Sequence, residues 1–219
     1  MKPYMDWSKV IASESKTKAI IQTDDYARRY KLSIRSVHAG LERQERKGLV
    51  EKVSNKIYIN KLAKGFSQQD LLHVLRRDSY VSLESALADC GITSQVPRVL
   101  TCVSPKYVRN IKSRTVHITF RTLKEDLFWG YTPKKTRYST YNLAEPEKAL
   151  LDWIYFRRIE NLPLETDEFV LGELDRTRLL EYAKRYPVPV ENEIFRLLAH
   201  LPNSNKQSKD VKFLAPSHA

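Results

Sequence analysis

The 219-residue sequence contains few cysteines and glycines and no long apolar run. Its two cysteines, Cys90 and Cys102, both lie in apolar sequence, which predicts reduced, packed thiols rather than a disulfide. The presence of only 6 glycines argues against a fibrous or disordered chain. Because no segment is apolar enough to cross a bilayer and none resembles a secretory leader, we expect a soluble, cytoplasmic protein without a membrane partner.

The sequence also lacks the usual marks of a catalytic or metal site. It has no glycine-rich phosphate loop and no cysteine–histidine cluster with metal spacing, and its five histidines are scattered. We therefore predict no enzymatic activity, no metal and no cofactor. A nuclease remains an alternative, because Glu145 to Lys148 (EPEK) has the residue types of a nuclease E-x-K triplet, although Glu147 and Lys148 are adjacent.

Positive charge is abundant and unevenly distributed along the chain. The net charge of +12 favours a polyanionic partner. Residues 1–62 hold 14 lysines and arginines against 7 acidic residues, and residues 98–138 hold 10 against 2. Residues 145–193 instead hold 7 against 12. Because the two basic regions are separate, the sequence predicts two contact surfaces, one in residues 1–62 and one in residues 98–138.

The segment Thr23 to Ile59 carries the most specific pattern. It reads as two short helices joined by a tight turn and followed by a basic strand pair. That is the order of a winged helix-turn-helix, which places a helix in the major groove of DNA. Thr23 is predicted to cap the first helix, which ends at Leu32. Met5 to Ala12 is predicted to form a preceding helix, and Ala19 to Ile21 a strand that pairs with the wing.

The second helix of this segment is the predicted recognition helix. Ser33 is expected to cap it, and it runs from Ile34 to about Lys47. Its buried stripe is predicted from the spacing of Ile34, Val37 and Leu41. At roughly 100° per residue the opposite face then carries small and basic side chains that suit a DNA groove, namely Arg35, Ser36, Ala39, Arg43 and Arg46.

After Gly48, which is predicted to close the helix, the sequence alternates around Ser54-Asn55 and predicts a short hairpin, the wing. His38 lies beside the buried stripe and is predicted to be packed, and Gln44 stands where this motif usually carries leucine. A winged helix used for protein contacts is the alternative, which the outward arginines disfavour. The residues predicted to contact DNA are Arg28, Arg29, Lys31, Ser33, Arg35, Ser36, Ala39, Arg43, Arg46, Lys52 and Lys56.

Three parts are predicted along the chain: a winged helix-turn-helix domain at residues 1–64, an α+β domain at residues 65–201, and a mobile tail at residues 202–219. The strands of the second part do not alternate regularly with helices, so its predicted fold class is mixed α+β rather than doubly wound. Its predicted helices begin at Ser67, Ser82 and Pro146 or lie at Asp175–Tyr186 and Glu191–Leu201, and its predicted strands lie at Val99–Val103, Arg114–Arg121 and Tyr138–Leu143.

Two segments of the second part resemble a known family. Tyr80 to Leu87 (YVSLESAL), followed by Cys90 to Ile92, resembles the Y-V-S-L-E-S-A-L … G-L signature of AbiEi-family antitoxins. Ala144 to Asp152 (AEPEKALLD) resembles the A-x-P-E-K-A-L-L-D helix start of the same family. The two segments also follow a winged helix in the family's order, so the resemblance covers roughly residues 7–160.

The resemblance implies an antitoxin of an abortive-infection, phage-defence operon. In that family the winged helix represses the operon by binding inverted repeats in its promoter, where protomers can pair on double-stranded DNA. The C-terminal domain counteracts a nucleotidyltransferase-like toxin, often without a stable complex. Neutralisation is associated with basic surface in that domain, which implies a candidate antitoxin surface of Arg109, Lys112, Arg114, Lys134, Lys135 and Arg137.

The signature residues themselves are predicted to be structural. Ser82 is interpreted as a helix cap, Ala86 and Leu87 as core residues, and Glu147 as a first-turn acid of its helix. A DNA-targeted nuclease and a ligand-sensing winged-helix regulator are the alternatives to the antitoxin.

Overall fold

A computed structural model describes residues 5–167 and 169–199 of the chain. Its first part, which we call the N-terminal unit (residues 5–60), forms one antiparallel sheet in the order β1-β3-β2 with helices packed against it. The helix, strand, helix pair and hairpin predicted here are all present. Their bounds are α1 (Trp7–Glu14), β1 (Ile20–Gln22), α2 (Thr23–Arg29), α3 (Ile34–Arg46), β2 (Val50–Ser54) and β3 (Ile57–Asn60).

The predicted boundaries of helix α2 are wrong at both ends. Thr23 is the first helical residue rather than the cap, which is Gln22, and the Thr23 hydroxyl is buried without a hydrogen-bond partner. The helix ends at Arg29 instead of Leu32, because Lys31 adopts a left-handed conformation with φ 50°. A left-handed residue cannot continue a right-handed helix, so the turn to α3 begins there.

Helix α3 begins and ends as predicted, but its buried stripe differs. The Ser33 hydroxyl accepts a hydrogen bond from the Ser36 amide at 3.1 Å, and Gly48 closes the helix with φ 75°. Ile34, which we expected to be buried, is 48% exposed. The buried stripe begins one turn later, at Val37, where α1 and the sheet cover the helix. Ile34 lies ahead of that covered turn and therefore faces outward.

The hairpin between β2 and β3 turns at Asn55-Lys56 rather than at Ser54-Asn55. An irregularity between Lys52 and Ser54 shifts the strand pairing, so that Ser54 pairs with Ile57. A β-bulge of this kind adds one residue to one strand of a pair and moves the turn along the chain.

A small core holds α1 against α3. The indole of Trp7 lies directly on Gly40, where a Cβ atom would come within 2.3 Å of the ring. Only glycine therefore permits this close approach. Tyr26 and Tyr58 fill the rest of this core with Ile11, Ile21, Val37, Leu41 and Val50.

The larger part of the described chain, which we call the C-terminal unit (residues 67–167 and 169–199) and which residues 61–66 connect to the N-terminal unit, is built on a mixed sheet of six strands in the order β6-β7-β5-β4-β9-β8. Strand β4 pairs antiparallel with β5 and parallel with β9. The α+β class is thus confirmed. The elements are α4 (Leu72–Leu75), β4 (Tyr80–Val81), α5 (Leu83–Asp89), β5 (Leu100–Ser104), β6 (Ile111–Lys112), β7 (His117–Thr122), β8 (Tyr131–Lys135), β9 (Thr140–Ala144), α6 (Pro146–Ile159), α7 (Arg176–Ala183) and α8 (Val188–Ala199).

Every helix and strand predicted in this unit has a counterpart, but three strands were not predicted. Strands β4 and β6 have two residues each, too few to show an alternating pattern. Strand β8 is almost entirely exposed and carries Pro133 and two lysines, which are features of an edge strand rather than of a core strand. The predicted tail, residues 202–219, lies outside the described residues.

The two units share strand β3. Tyr58 faces the small core, whereas Ile57 and Ile59 belong to the large core of the C-terminal unit. The β8–β9 turn adds a second contact, because the Tyr138 hydroxyl donates to the Ser15 carbonyl of the N-terminal unit at 3.3 Å. The units are therefore packed together rather than joined by a free linker. Among the described helices none has the length and apolar character needed to span a membrane.

Candidate nucleic-acid interface

The outward face of α3 is open to solvent, as the sequence predicted. Val37 and Leu41 are fully buried on one side of the helix. The five residues assigned to the opposite side are all exposed: Arg35, Ser36, Ala39, Arg43 and Arg46. Within the described part of the chain the three arginines form no ion pair, so their guanidinium groups are available to phosphates or base edges.

One carboxylate on this face was missed by the sequence reasoning. Glu42 is exposed and falls between Arg35 and Arg46 at helical spacing. The helical projection that placed the arginines on this face also places Glu42 there. Glu42 was missed because only basic and small residues were sought. The face that would approach DNA therefore carries one negative charge among its positive ones.

The three basic residues predicted to contact DNA before α3 have different surroundings. Arg28 is exposed and lies 3.3 Å from Asp25, a surface pair of small energetic value. Lys31 is exposed in the turn between the helices. Arg29 instead lies 2.5 Å from Glu14, whose side chain is largely buried. Arg29 therefore has a structural role.

Glu14 is the centre of a small polar cluster that explains this role. Its carboxylate accepts hydrogen bonds from the hydroxyls of Tyr26 and Tyr30 as well as from Arg29. Burial and the Glu14 charge raise the pKa of both tyrosines. Removing Arg29 leaves a buried carboxylate without its counter-ion, which is costly. Arg29 stays a predicted DNA contact, but its guanidinium is also the counter-ion of this buried carboxylate.

The two hairpin lysines are less free than predicted. Lys56 lies in the turn and pairs with Asp24 of α2 at 2.9 Å. Lys52 is half-buried, and its ammonium lies 6.0 Å from the centre of the Tyr58 ring. Most of the unpaired positive charge of the predicted set is therefore on α3 and the turn before it.

The two polar residues singled out inside α3 are both accommodated. His38 is half-buried, and its Nδ1 lies 3.3 Å from the Tyr58 hydroxyl, in agreement with the predicted packed histidine. Gln44 is buried and accepts a hydrogen bond from the Ser8 hydroxyl at 2.9 Å. A partner on α1 thus replaces the apolar contact that leucine would make at this position.

The second basic region is divided into two separate surfaces. Lys112 lies on β6 and Arg114 in the turn after it, whereas Lys134 and Lys135 lie on β8. Strands β6 and β8 are the opposite edges of the six-stranded sheet. Five strand spacings of about 4.8 Å put these edges roughly 24 Å apart. All six residues, including Arg109 and Arg137, are exposed, but they do not form the single surface that we expected.

No family model and no curated protein matches the sequence. The structure is similar to the crystal structure of the RV2827C protein from Mycobacterium tuberculosis, with a TM-score of 0.60 and 12% sequence identity. The match covers 91% of this chain and 78% of that chain. At this identity the similarity concerns the fold alone.

The two signature segments meet in a buried polar network. The Lys148 ammonium contacts the Tyr80 and Tyr186 hydroxyls at 2.9 and 2.5 Å and also pairs with the Asp152 carboxylate. Asp152 further accepts hydrogen bonds from the hydroxyls of Tyr80, Tyr186 and Ser82. Ser82 occupies the cap position of α5, but its side chain makes no capping bond, which corrects its predicted role.

This network has the features of a core structure rather than of a reactive site. Lys148 and Asp152 have side chains that are 0% exposed. Burial raises the pKa of Tyr80 and Tyr186 well above the usual value and lowers the pKa of Lys148. Because every one of these side chains has partners within the network, it is fully satisfied and rigid.

The same burial bears on the nuclease alternative. Lys148 would have to hold an attacking water, yet its ammonium is enclosed by the network. Glu145 accepts a hydrogen bond from the Tyr182 hydroxyl at 2.6 Å, and Glu147 accepts one from the Asp175 amide at 2.8 Å. Within the described residues no group of three or more histidine, cysteine or acidic side chains is placed to hold a metal. Both cysteines are free thiols.

Proposed function

We propose that the N-terminal unit is a winged helix-turn-helix that binds double-stranded DNA through α3. The carrying observation is the face of Arg35, Arg43 and Arg46, which is exposed and free of ion pairs among the described residues. The element order and the sheet order β1-β3-β2 support this assignment, since a hairpin then lies beside a helix whose outer side is unobstructed.

We further propose that the protein is a cytoplasmic transcriptional autorepressor and antitoxin that has no enzymatic activity. This step rests on the resemblance of the two signature segments to AbiEi-family antitoxins. The operator would be inverted repeats in the protein's own promoter, with protomers pairing on the DNA. The second partner would be a nucleotidyltransferase-like toxin encoded beside it, counteracted without a requirement for stable contact.

Alanine variants of the α3 arginines test the DNA interface. Replacing Arg35 or Arg43 with alanine should weaken binding to the upstream region by about 1–3 kcal/mol and relax specificity at one base pair if the side chain reads a base. Fluorescence anisotropy with the upstream duplex measures the change. Lys184→Ala, an exposed charge removal after α7, is the matched control. If the double arginine variant binds as the wild type does, the assignment of α3 is wrong.

Coexpression tests the antitoxin part separately. The protein should restore growth of cells that express the adjacent nucleotidyltransferase-like reading frame, and a chain carrying both arginine replacements should still do so. This separation is expected because neutralisation belongs to the C-terminal unit. Growth arrest that persists with the wild-type protein would remove the antitoxin role and leave DNA binding intact.

A ligand-sensing regulator is a second candidate, favoured by one cleft. A space of about 400 Å³ lies between α5, α6 and the chain after α6, lined by Trp153, Phe169 and Arg157. That volume falls in the range of small-molecule sites. Thermal-shift screening against metabolites tests this role, since a ligand that binds the folded state raises the unfolding temperature.

A further inference from the structure

A second basic surface, which suits an anionic partner, lies where the two units meet. The end of α3, strand β2 and the β6–β7 turn border an open cleft of about 240 Å³. Residues from both units line it. The N-terminal side contributes Glu45, Glu51 and Lys52, and the other walls contribute Lys61, Lys112 and Arg114.

The cations of this cleft form no close ion pair among the described residues, whereas both of its acids accept hydrogen bonds. Lys61, Lys112 and Arg114 are exposed and Lys52 is half-buried. Glu45 accepts a hydrogen bond from the Lys52 amide at 3.0 Å. The cleft therefore carries four positive charges against two carboxylates, and both carboxylates accept hydrogen bonds from residues of the cleft or its border.

Glu51 fixes the β6–β7 turn to the hairpin of the N-terminal unit. Its carboxylate accepts hydrogen bonds from the Ser113 hydroxyl at 2.7 Å and from the Thr115 amide and hydroxyl, both at 2.9 Å. Burial alone would raise the pKa of Glu51, but these hydrogen bonds and the charge of Lys61 outweigh it and lower that pKa. Lys112 and Arg114 flank Ser113, so this anchor holds them beside β2.

We propose that this cleft binds the phosphate backbone of DNA, so that Lys112 and Arg114 extend the interface of α3 into the C-terminal unit. The inference rests on the proposed DNA binding. The location of the cleft supports this proposal, because it adjoins the end of α3 and the hairpin, where the backbone of a duplex held by α3 would pass. Phosphate contacts position a duplex and do not read sequence.

The salt dependence of binding tests the proposal. Each neutralised phosphate contributes about −0.9 to the slope of the logarithm of affinity against that of salt. The double variant Lys112→Gln, Arg114→Gln should therefore flatten this slope by about 1.8. When the salt concentration rises from about 50 to 200 mM, the affinity of the variant should fall by a factor about twelve times smaller than the factor for the wild type. Its preference for the upstream region over other DNA should persist.

The opposite sheet edge supplies the matched control. The double variant Lys134→Gln, Lys135→Gln removes the same charge from exposed positions on β8 and should leave the slope unchanged. Thermal unfolding of each full-length variant confirms that folding is retained, as expected for exposed side chains.

The outcomes separate this inference from the function on which it rests. Absence of DNA binding by the wild type removes both. Wild-type binding with an unchanged slope in the Lys112, Arg114 variant overturns the cleft alone. The cleft is also overturned if that variant keeps its DNA affinity but loses toxin neutralisation, because the cleft then serves the toxin. Equal flattening by the β8 control also contradicts the proposal, since the effect then reflects net charge.

Discussion

At the scale of single residues, the arginine face of α3 carries both positive and negative side chains. Glu42 stands among three arginines that form no ion pair in the described chain, at the side expected to approach a polyanion. An exposed carboxylate there repels phosphates, and the arginines must overcome that repulsion. Glutamate can also accept a hydrogen bond from the cytosine amino group, so Glu42 has two different effects that can be separated.

Replacing Glu42 with glutamine separates these effects. Without its charge, binding to DNA of unrelated sequence should tighten by about fivefold, equivalent to the ~1 kcal/mol of two charges in water at contact distance. Titration of the variant with unrelated duplex measures the change, and Glu181→Gln on α7 is the control for loss of an exposed charge. A selective loss of affinity for the upstream region would show instead that Glu42 reads a base.

At the scale of helices and strands, the buried network joins four segments of the chain. Tyr80 comes from β4, Ser82 from the start of α5, Lys148 and Asp152 from α6, and Tyr186 from the chain after α7. The network therefore fixes α6 against the sheet. It gives the residue pattern of the two signature segments a physical reason, because the polar residues of one are hydrogen-bonded to those of the other.

Removing one charge of the buried ion pair should lower the free energy of unfolding more than removing both charges. Asp152→Leu leaves the Lys148 ammonium buried without a counter-ion and should destabilise the protein by about 3–5 kcal/mol. The double variant Lys148→Met, Asp152→Leu removes both charges and should be more stable than that single variant. Denaturant unfolding measures both, and Arg28→Gln, which breaks an exposed pair, should cost less than ~1 kcal/mol. Equal losses in the single and double variants would contradict this account.

The sequence was informative where an element is defined by its own neighbours. Caps and helical spacing located α3 from Ser33 to Gly48 and placed the start of α6 at Pro146. Ile34 was misassigned because burial depends on α1, whose contact with Gly40 has no signal in the local pattern. Tyr80 contacts Lys148, and Glu51 contacts Thr115, although the residues of each pair are more than 60 positions apart. No spacing rule predicts such pairs.

At the scale of the whole molecule, many tyrosines are buried with their hydroxyl protons retained. Burial and nearby acids raise the pKa of Tyr58 to about 12, and burial raises the pKa of Tyr80 and Tyr186 well above the ordinary value. Below pH 10.0, the ordinary value, folded and unfolded chains both keep these protons. Above it only the unfolded chain releases them, so this stability is present at lower pH and declines as pH rises to about 12.

Denaturant unfolding across this window checks the prediction. The free energy of unfolding should fall by about 1.4 kcal/mol per pH unit for each tyrosine that stays protonated only in the folded state. Tyr58→Phe should reduce the steepness of the decline, whereas Tyr107→Phe, at a side chain that is 82% exposed, should leave it unchanged. A free energy of unfolding independent of pH there would contradict the burial of these hydroxyls.

The packing of the two units also bears on how the molecule works. Strand β3 contributes to both cores, and Glu51 anchors the C-terminal unit beside the hairpin. A duplex that binds α3 as proposed would therefore lie against both units. Under this account the C-terminal unit takes part in DNA binding at its β6 edge, while its β8 edge, with Lys134 and Lys135, stays available to the toxin.

The central claim is sequence-specific DNA binding, and one titration tests it most directly. The full-length protein is titrated at one fixed salt concentration against its own upstream region and against a shuffled duplex of the same composition. The account predicts binding to the upstream region at least about a thousandfold tighter than to the shuffled duplex. Equal affinity for the two duplexes, or binding to neither, would contradict it.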